Sequence, residues 1–139
     1  MLKHILLPVD LTDKHQKAVA AAADLAAQFG AEVTLLHVIE LIHGLPMDEE
    51  KDFYQRLARK ARAYLERLLD RLEGPRENVR VEVVYGDRAR EIIRHASQGG
   101  VDLIVLTSHR IDPGTSQARF GTLSHAVGIF AQCPVLLVK

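Results

Sequence analysis

The chain has 139 residues, 47% of them apolar and 26% charged, with 18 basic and 18 acidic side chains and no net formal charge. That length suits a single domain over 1–139, large enough to bury a core without staples. Balanced charge argues against a nucleic-acid partner, the lone Cys133 excludes an internal disulfide and fits a reducing cytoplasm, and no apolar run reaches the ~20 residues of a membrane span.

The first apolar run, His4 to Val9, meets Pro8 and Asp10 at once, the pattern of a buried strand rather than a secretory leader. Asp13 with Gln16 three residues on predicts a capping box. An alanine-rich helix with Val19, Ala22, Ala26 and Phe29 at helical spacing follows, closed by Gly30. Glu32 to Ile39 is the second strand. After Gly44 and Pro46, the residues Phe53, Leu57, Ala61, Tyr64, Leu65, Leu68 and Leu72 predict a long amphipathic helix stopped at Gly74-Pro75, its basic outer face solvated.

Val79 to Tyr85 alternates apolar and charged residues, which predicts a strand at a sheet edge. Asp87 caps a third helix with Ala89, Ile92, Ile93 and Ala96 inward, ended by Gly99-Gly100. Asp102 to Leu106 is the fourth strand. Thr122 to Ala131 is a fourth helix with Leu123, Ala126, Val127 and Phe130 inward, and Val135 to Val138 is the last strand.

Strict βα alternation predicts an open parallel sheet with helices on both faces and right-handed crossovers. Ligands of such sheets sit beyond the carboxyl ends of the strands, at the switch point. With the first and fourth strands adjacent, Asp10 lies beside the Thr107–Gly121 loop. Gly121-Thr122 opens a helix there, and unpaired N–H groups at a helix start attract anions.

The segments ILLPVDLTD, GAEVTLLHV, GDRAREIIRHASQGGVDLIVLTSHR and GTLSHAVGIFAQCPVLLVK, in that order, resemble the universal stress protein family over the whole chain. The resemblance implies a five-stranded sheet in the order 3-2-1-4-5, Rossmann-like and similar to adenine nucleotide alpha hydrolases. It also implies a homodimer joined through the C-terminal edge strand, Val135, Leu136, Leu137 and Val138. A subset of the family binds ATP through a Gly-x2-Gly-x9-Gly-Ser/Thr loop.

Carried onto this chain, Thr107 and Arg110 fall where the first two glycines belong, Gly121-Thr122 matches the final pair, and ten residues rather than nine separate Arg110 from Gly121. The resemblance places Asp10 near adenine or, through water, near a metal on the phosphates, with Pro8, Val9 and Val38 offering contacts to the ring. Ser108, His109, Arg110, Gly121, Thr122, Leu123 and Ser124 complete the implied nucleotide site, with ATP or AMP as ligand and Mg if phosphates are bound. Read without a ligand, Asp10 caps the first helix or bonds the neighbouring loop, Thr122 is a helix cap and the strand ends are core.

Seven histidines show no His-x3-His pair and no nearby cysteine partner, so no structural zinc pattern appears. His109 is singled out by its place in the loop; the others read as surface or strand-end residues. Ser108-His109 lacks a nucleophile elbow, Ser124 reads equally as structural, and Cys133 reads as a packing residue. No catalytic residue or metal ligand is assigned. The sequence points to a cytoplasmic, homodimeric, nucleotide-responsive stress-response module with at most slow ATP hydrolysis. The alternative is an adaptor working through protein contacts, with Arg110 or Phe120 filling the pocket.

Overall fold

The computed structural model describes residues 2–70, 76–108 and 122–139. Its elements run β1 (His4–Pro8), α1 (Gln16–Phe29), β2 (Glu32–Ile39), α2 (Lys51–Asp70), β3 (Val79–Tyr85), α3 (Arg88–Gln98), β4 (Leu103–Thr107), α4 (Leu123–Phe130) and β5 (Val135–Val138). The five strands form one parallel sheet in the order β3-β2-β1-β4-β5. That is the expected order, with β3 and β5 at the edges.

Because side chains alternate across a strand, β1 feeds two cores. Ile5, Leu7 and Val9 pack with Ala18, Val19 and Ala22 of α1 and Leu65 and Leu69 of α2. Leu6 points the other way, toward Ile92 and Ala96 of α3, Ile104 and Leu106 of β4, and Val127 of α4. The small residues of α1 let that helix lie close to the sheet. Gly30 ends it in the left-handed conformation, φ 66°, its N–H returned to the Ala26 carbonyl. Gly86, φ 146°, turns the chain after β3 where any Cβ would meet the Glu91 side chain at 2.8 Å.

Several expectations need correction. Asp13 and Gln16 form no capping box: Asp13–His15 is a single 3-10 turn, neither Thr12 nor His15 makes a side-chain cap bond, and α1 starts only at Gln16. The tighter turn sends the His15 side chain inward, where it is 7% exposed. On α2 the fully buried stripe is Tyr54, Ala61, Leu65 and Leu69, with Phe53, Leu57, Tyr64 and Leu68 flanking it half-buried. Tyr54 takes the inward place because its hydroxyl donates to the Leu45 carbonyl and accepts from the Ile42 amide, tying down the preceding loop. Leu72 and Gly74-Pro75 lie outside the described residues.

Phe130 is not inward either. It is 63% exposed, beside Ile129 at 59%, while Val127 is fully buried and Ala131 takes the next core place as the chain leaves for β5. The fourth strand runs one residue later than expected, Leu103–Thr107, because Asp102 is spent below it. Its carboxylate accepts the Lys3 and His4 amides at 2.8 and 2.9 Å.

Candidate functional site

At the carboxyl end of the sheet, the parallel ladder between β1 and β4 comprises only Ile5↔Leu103 and Leu6↔Ile104. Beyond it each strand follows its outer neighbour. The Val9 amide donates to the Leu36 carbonyl of β2, and the Ser108 amide to the Val138 carbonyl of β5. The strand ends part, which is how a switch-point crevice forms. A cavity of about 170 Å³ opens there, walled by Pro8, Val9, Asp10, His37 and Val38 on the β1–β2 side. Leu106, Thr107, Thr122, Leu123 and Ser124 wall the β4–α4 side, and Lys14, His15, Leu36, Arg88 and Ile92 complete it.

Asp10 is part of the wall of this crevice. Its Oδ1 accepts from the Thr12 amide and hydroxyl and from His15 Nε2 at 2.7 Å. Its Oδ2 pairs with the Lys14 ammonium at 2.9 Å. Partial burial works to raise the Asp10 pKa, but the donors from Thr12, Lys14 and His15 outweigh it. The carboxyl therefore sits well below the ordinary carboxylate range and is ionised at neutral pH.

His15 is the residue that sequence reasoning missed. It reads there as one more surface or strand-end histidine; the structure buries it in the cavity wall between Asp10 and Thr107. Nδ1 lies 2.8 Å from the Thr107 hydroxyl. The Asp10 amide also approaches Nε2, at 3.2 Å, but an imidazole nitrogen serves one of these partners at a time. Assigned from its partners, Nε2–H donates to the nearer, charged Oδ1, and Nδ1 pairs with the Thr107 hydroxyl. The only sequence signal was position: five residues after a strand-end aspartate, in a turn that neither caps nor continues a helix.

His37 was likewise not singled out. Its Nδ1 donates to the Val9 carbonyl at 2.9 Å, which makes Nε2 the ring's acceptor in the neutral form. Thr122 is the N-cap of α4, its Oγ1 accepting the His125 amide at 3.3 Å. The cap reading holds, and a cap bond uses the oxygen as acceptor and leaves the hydroxyl proton to donate. Leu123 and Ser124 are half-buried in the first turn of α4.

Of the expected site residues, Pro8, Val9, Asp10, Val38, Thr122, Leu123 and Ser124 line one cavity. Ser108 does not: it is buried on the far side of Thr107 and accepts the Lys139 ammonium at 3.0 Å. His109, Arg110 and Gly121 lie outside the described residues, as does Phe120. Cys133 is half-buried against the α3–α4 core; burial, and then the Asp102 charge, push its thiol pKa up, which makes it a poor nucleophile.

Among the described residues no three His, Cys, Asp or Glu side chains converge on a point. Among the described residues Asp10 is the one carboxylate lining the cavity, and both its oxygens already hold protein donors. These residues do not fit a protein-held divalent cation, which asks for several oxygen ligands. A magnesium ion arriving with a nucleotide would depend on phosphates and water.

No helix of the described residues is long and apolar enough to cross a membrane. A sequence model of the Universal stress protein family matches residues 1–139. Universal stress protein YxiE of Bacillus subtilis (strain 168) is 30% identical, with all of both chains covered. The solved structure of protein MJ0577, a universal stress protein of Methanocaldococcus jannaschii, superposes with a TM-score of 0.81 at 28% identity, covering 100% of this chain and 96% of that one. A universal stress protein solved in complex with cAMP superposes at 0.72 with 16% identity over 99% of this chain and 97% of that one.

Proposed function

This chain belongs to the universal stress protein family, and from that premise we propose that its switch-point cavity binds an adenine nucleotide, ATP or AMP, in a homodimeric stress-response module. The observation that carries the reading is convergence. Strand-end residues Pro8, Val9, Asp10 and Val38 and helix-start residues Thr122, Leu123 and Ser124, far apart in sequence, wall a single crevice. The first group offers an apolar slot with one fixed carboxylate. The second offers the N–H groups of a helix start and a hydroxyl, with Lys14 and Arg88 as nearby cations for phosphate. The cAMP complex lends the fold of a nucleotide binder, not its residues.

A binding role is favoured over turnover. The His15 ring, the best candidate base in the cavity wall, already serves Asp10 and Thr107. The cytoplasm is the proposed compartment. In a thermal melt, a nucleotide at about 100 times its Kd adds roughly 2.7 kcal/mol to stability. ATP, ADP or AMP at millimolar concentration is therefore expected to raise the midpoint by several degrees; three flat curves contradict the nucleotide reading.

The dimer reading rests on β5, an edge strand whose Leu136 and Leu137 are 39% and 40% exposed and which neighbours exposed Ile129 and Phe130 in sequence. Such an edge invites pairing with a second copy about a two-fold axis. Leu137→Glu is expected to give monomer in sedimentation, whereas an unchanged dimer places the interface elsewhere. The same apolar surface favours the second reading, an adaptor that works through protein contacts.

A further inference from the structure

Resting on the nucleotide reading, we propose that Thr107 is a positioning residue of that site, acting through His15 to hold the Asp10 carboxylate in its binding orientation. The backbone does not do this work. The β1–β4 ladder ends at Leu6↔Ile104, and above it β1 turns toward β2 and β4 toward β5. Across the opening runs a chain of three side chains: Thr107 at the last residue of β4, His15 in the 3-10 turn, and Asp10 just past β1. Its links measure 2.8 and 2.7 Å.

His15 Nε2–H, assigned from its partners, donates to Asp10 Oδ1, and Nδ1 pairs with the Thr107 hydroxyl. His15, 7% exposed, has one anchor on β4 and one just past the end of β1. Without the Thr107 hydroxyl its Nδ1 edge loses its partner and the ring is held from the Asp10 side alone. The carboxylate would then keep Thr12 and Lys14, both local in sequence, and lose its tie to β4. A ligand entering between the parted strands meets a carboxylate oriented in advance in the wild type and must order it in the variant, which lowers affinity.

This gives Thr107 a role opposite to that of a glycine substitute. If backbone room were what mattered at this position, Thr107→Gly would improve binding. If the hydroxyl matters, glycine and valine both harm it and serine rescues it. Calorimetric titration with ATP of wild type, Thr107→Ser, Thr107→Gly and Thr107→Val separates these outcomes.

The serine variant is expected to bind within about twofold of wild type, and the other two about fivefold to tenfold more weakly, in the range measured for residues coupled through one hydrogen-bond network. Thr107→Gly combined with His15→Gln is expected to be no weaker than the poorer single variant, because the two changes break one chain. In ¹⁵N spectra of the ligand-free protein, the His15 Nδ1 resonance moves in the glycine and valine variants and stays in the serine variant. Glycine binding ATP as well as or better than threonine, or fully additive effects of the two changes, overturns the proposal and leaves the nucleotide reading intact. Wild type that fails to bind ATP at millimolar concentration overturns both.

Discussion

The two ends of the sheet carry nearly the same side-chain chemistry. At the amino end, the His4 ring joins the Thr34 hydroxyl at 2.8 Å to the Gly99 carbonyl at 3.0 Å, while the Asp102 carboxylate takes two backbone amides. At the carboxyl end, the His15 ring joins the Thr107 hydroxyl to Asp10. Each end has a threonine, a histidine and a low-pKa aspartate. The difference lies in what surrounds them. Below, the partners of the ring and of the aspartate are largely main-chain groups, and the cluster closes the loop from α3 into β4. Above, the strands part, an ammonium joins the carboxylate, and a cavity opens beside it. The same groups act as a fastener where strands converge and border a cavity where they diverge.

The largest effect expected from breaking this comparison is at the lower end. His4→Ala strips the 3%-exposed Thr34 hydroxyl and the Gly99 carbonyl of their shared partner. It should cost about 1–3 kcal/mol in denaturant unfolding while leaving ATP affinity unchanged. An equal loss of affinity would mean that the two ends are not independent.

Next comes Thr122→Ala at the upper end. Losing the α4 cap costs about 1 kcal/mol, and here affinity for ATP should fall as well, because Thr122 lines the cavity. Stability loss with affinity retained would reduce Thr122 to a cap.

The smallest effect is a slope. Asp10 has a lower pKa folded than unfolded, so its stabilisation is complete above the ordinary carboxylate range, near about pH 4, and is lost as pH falls through the folded value. Asp102 shares the sign, held down by the Lys3 and His4 amides. Asp10→Asn should therefore melt with a shallower acid limb than wild type below about pH 4, with the Asp102 share remaining. Parallel limbs would show that the Asp10 network adds nothing to folding.

Most of this architecture was legible in the sequence because its causes are local. Gly30 and Asp87 stop and start helices by their own backbone and side-chain chemistry, and the apolar runs of β1, β2 and β4 announce strands covered on both faces. Asp10 and Thr122 could be placed together because βα alternation, with the first and fourth strands adjacent, brings those ends to one switch point; Val38 joined them only through the family resemblance. His15 could not be placed this way. Its inward turn follows from a single 3-10 turn that a capping-box pattern at Asp13 and Gln16 disguised, and its partner Thr107 lies 92 positions away. Phe130 failed for the opposite reason: it fits the helical period, but α4 ends there and Ala131 fills the space. Thr107, read as a missing glycine, gains a use only once its neighbour across the crevice is seen.

The most direct test of the central claim is an ATP titration of the ¹⁵N-labelled protein followed amide by amide. The account predicts saturable shifts at Asp10, Val38, Leu123 and Ser124, with Lys3, Thr34 and Asp102 at the other end of the sheet unmoved. Shifts confined to the lower end, or none at millimolar ATP, would contradict it.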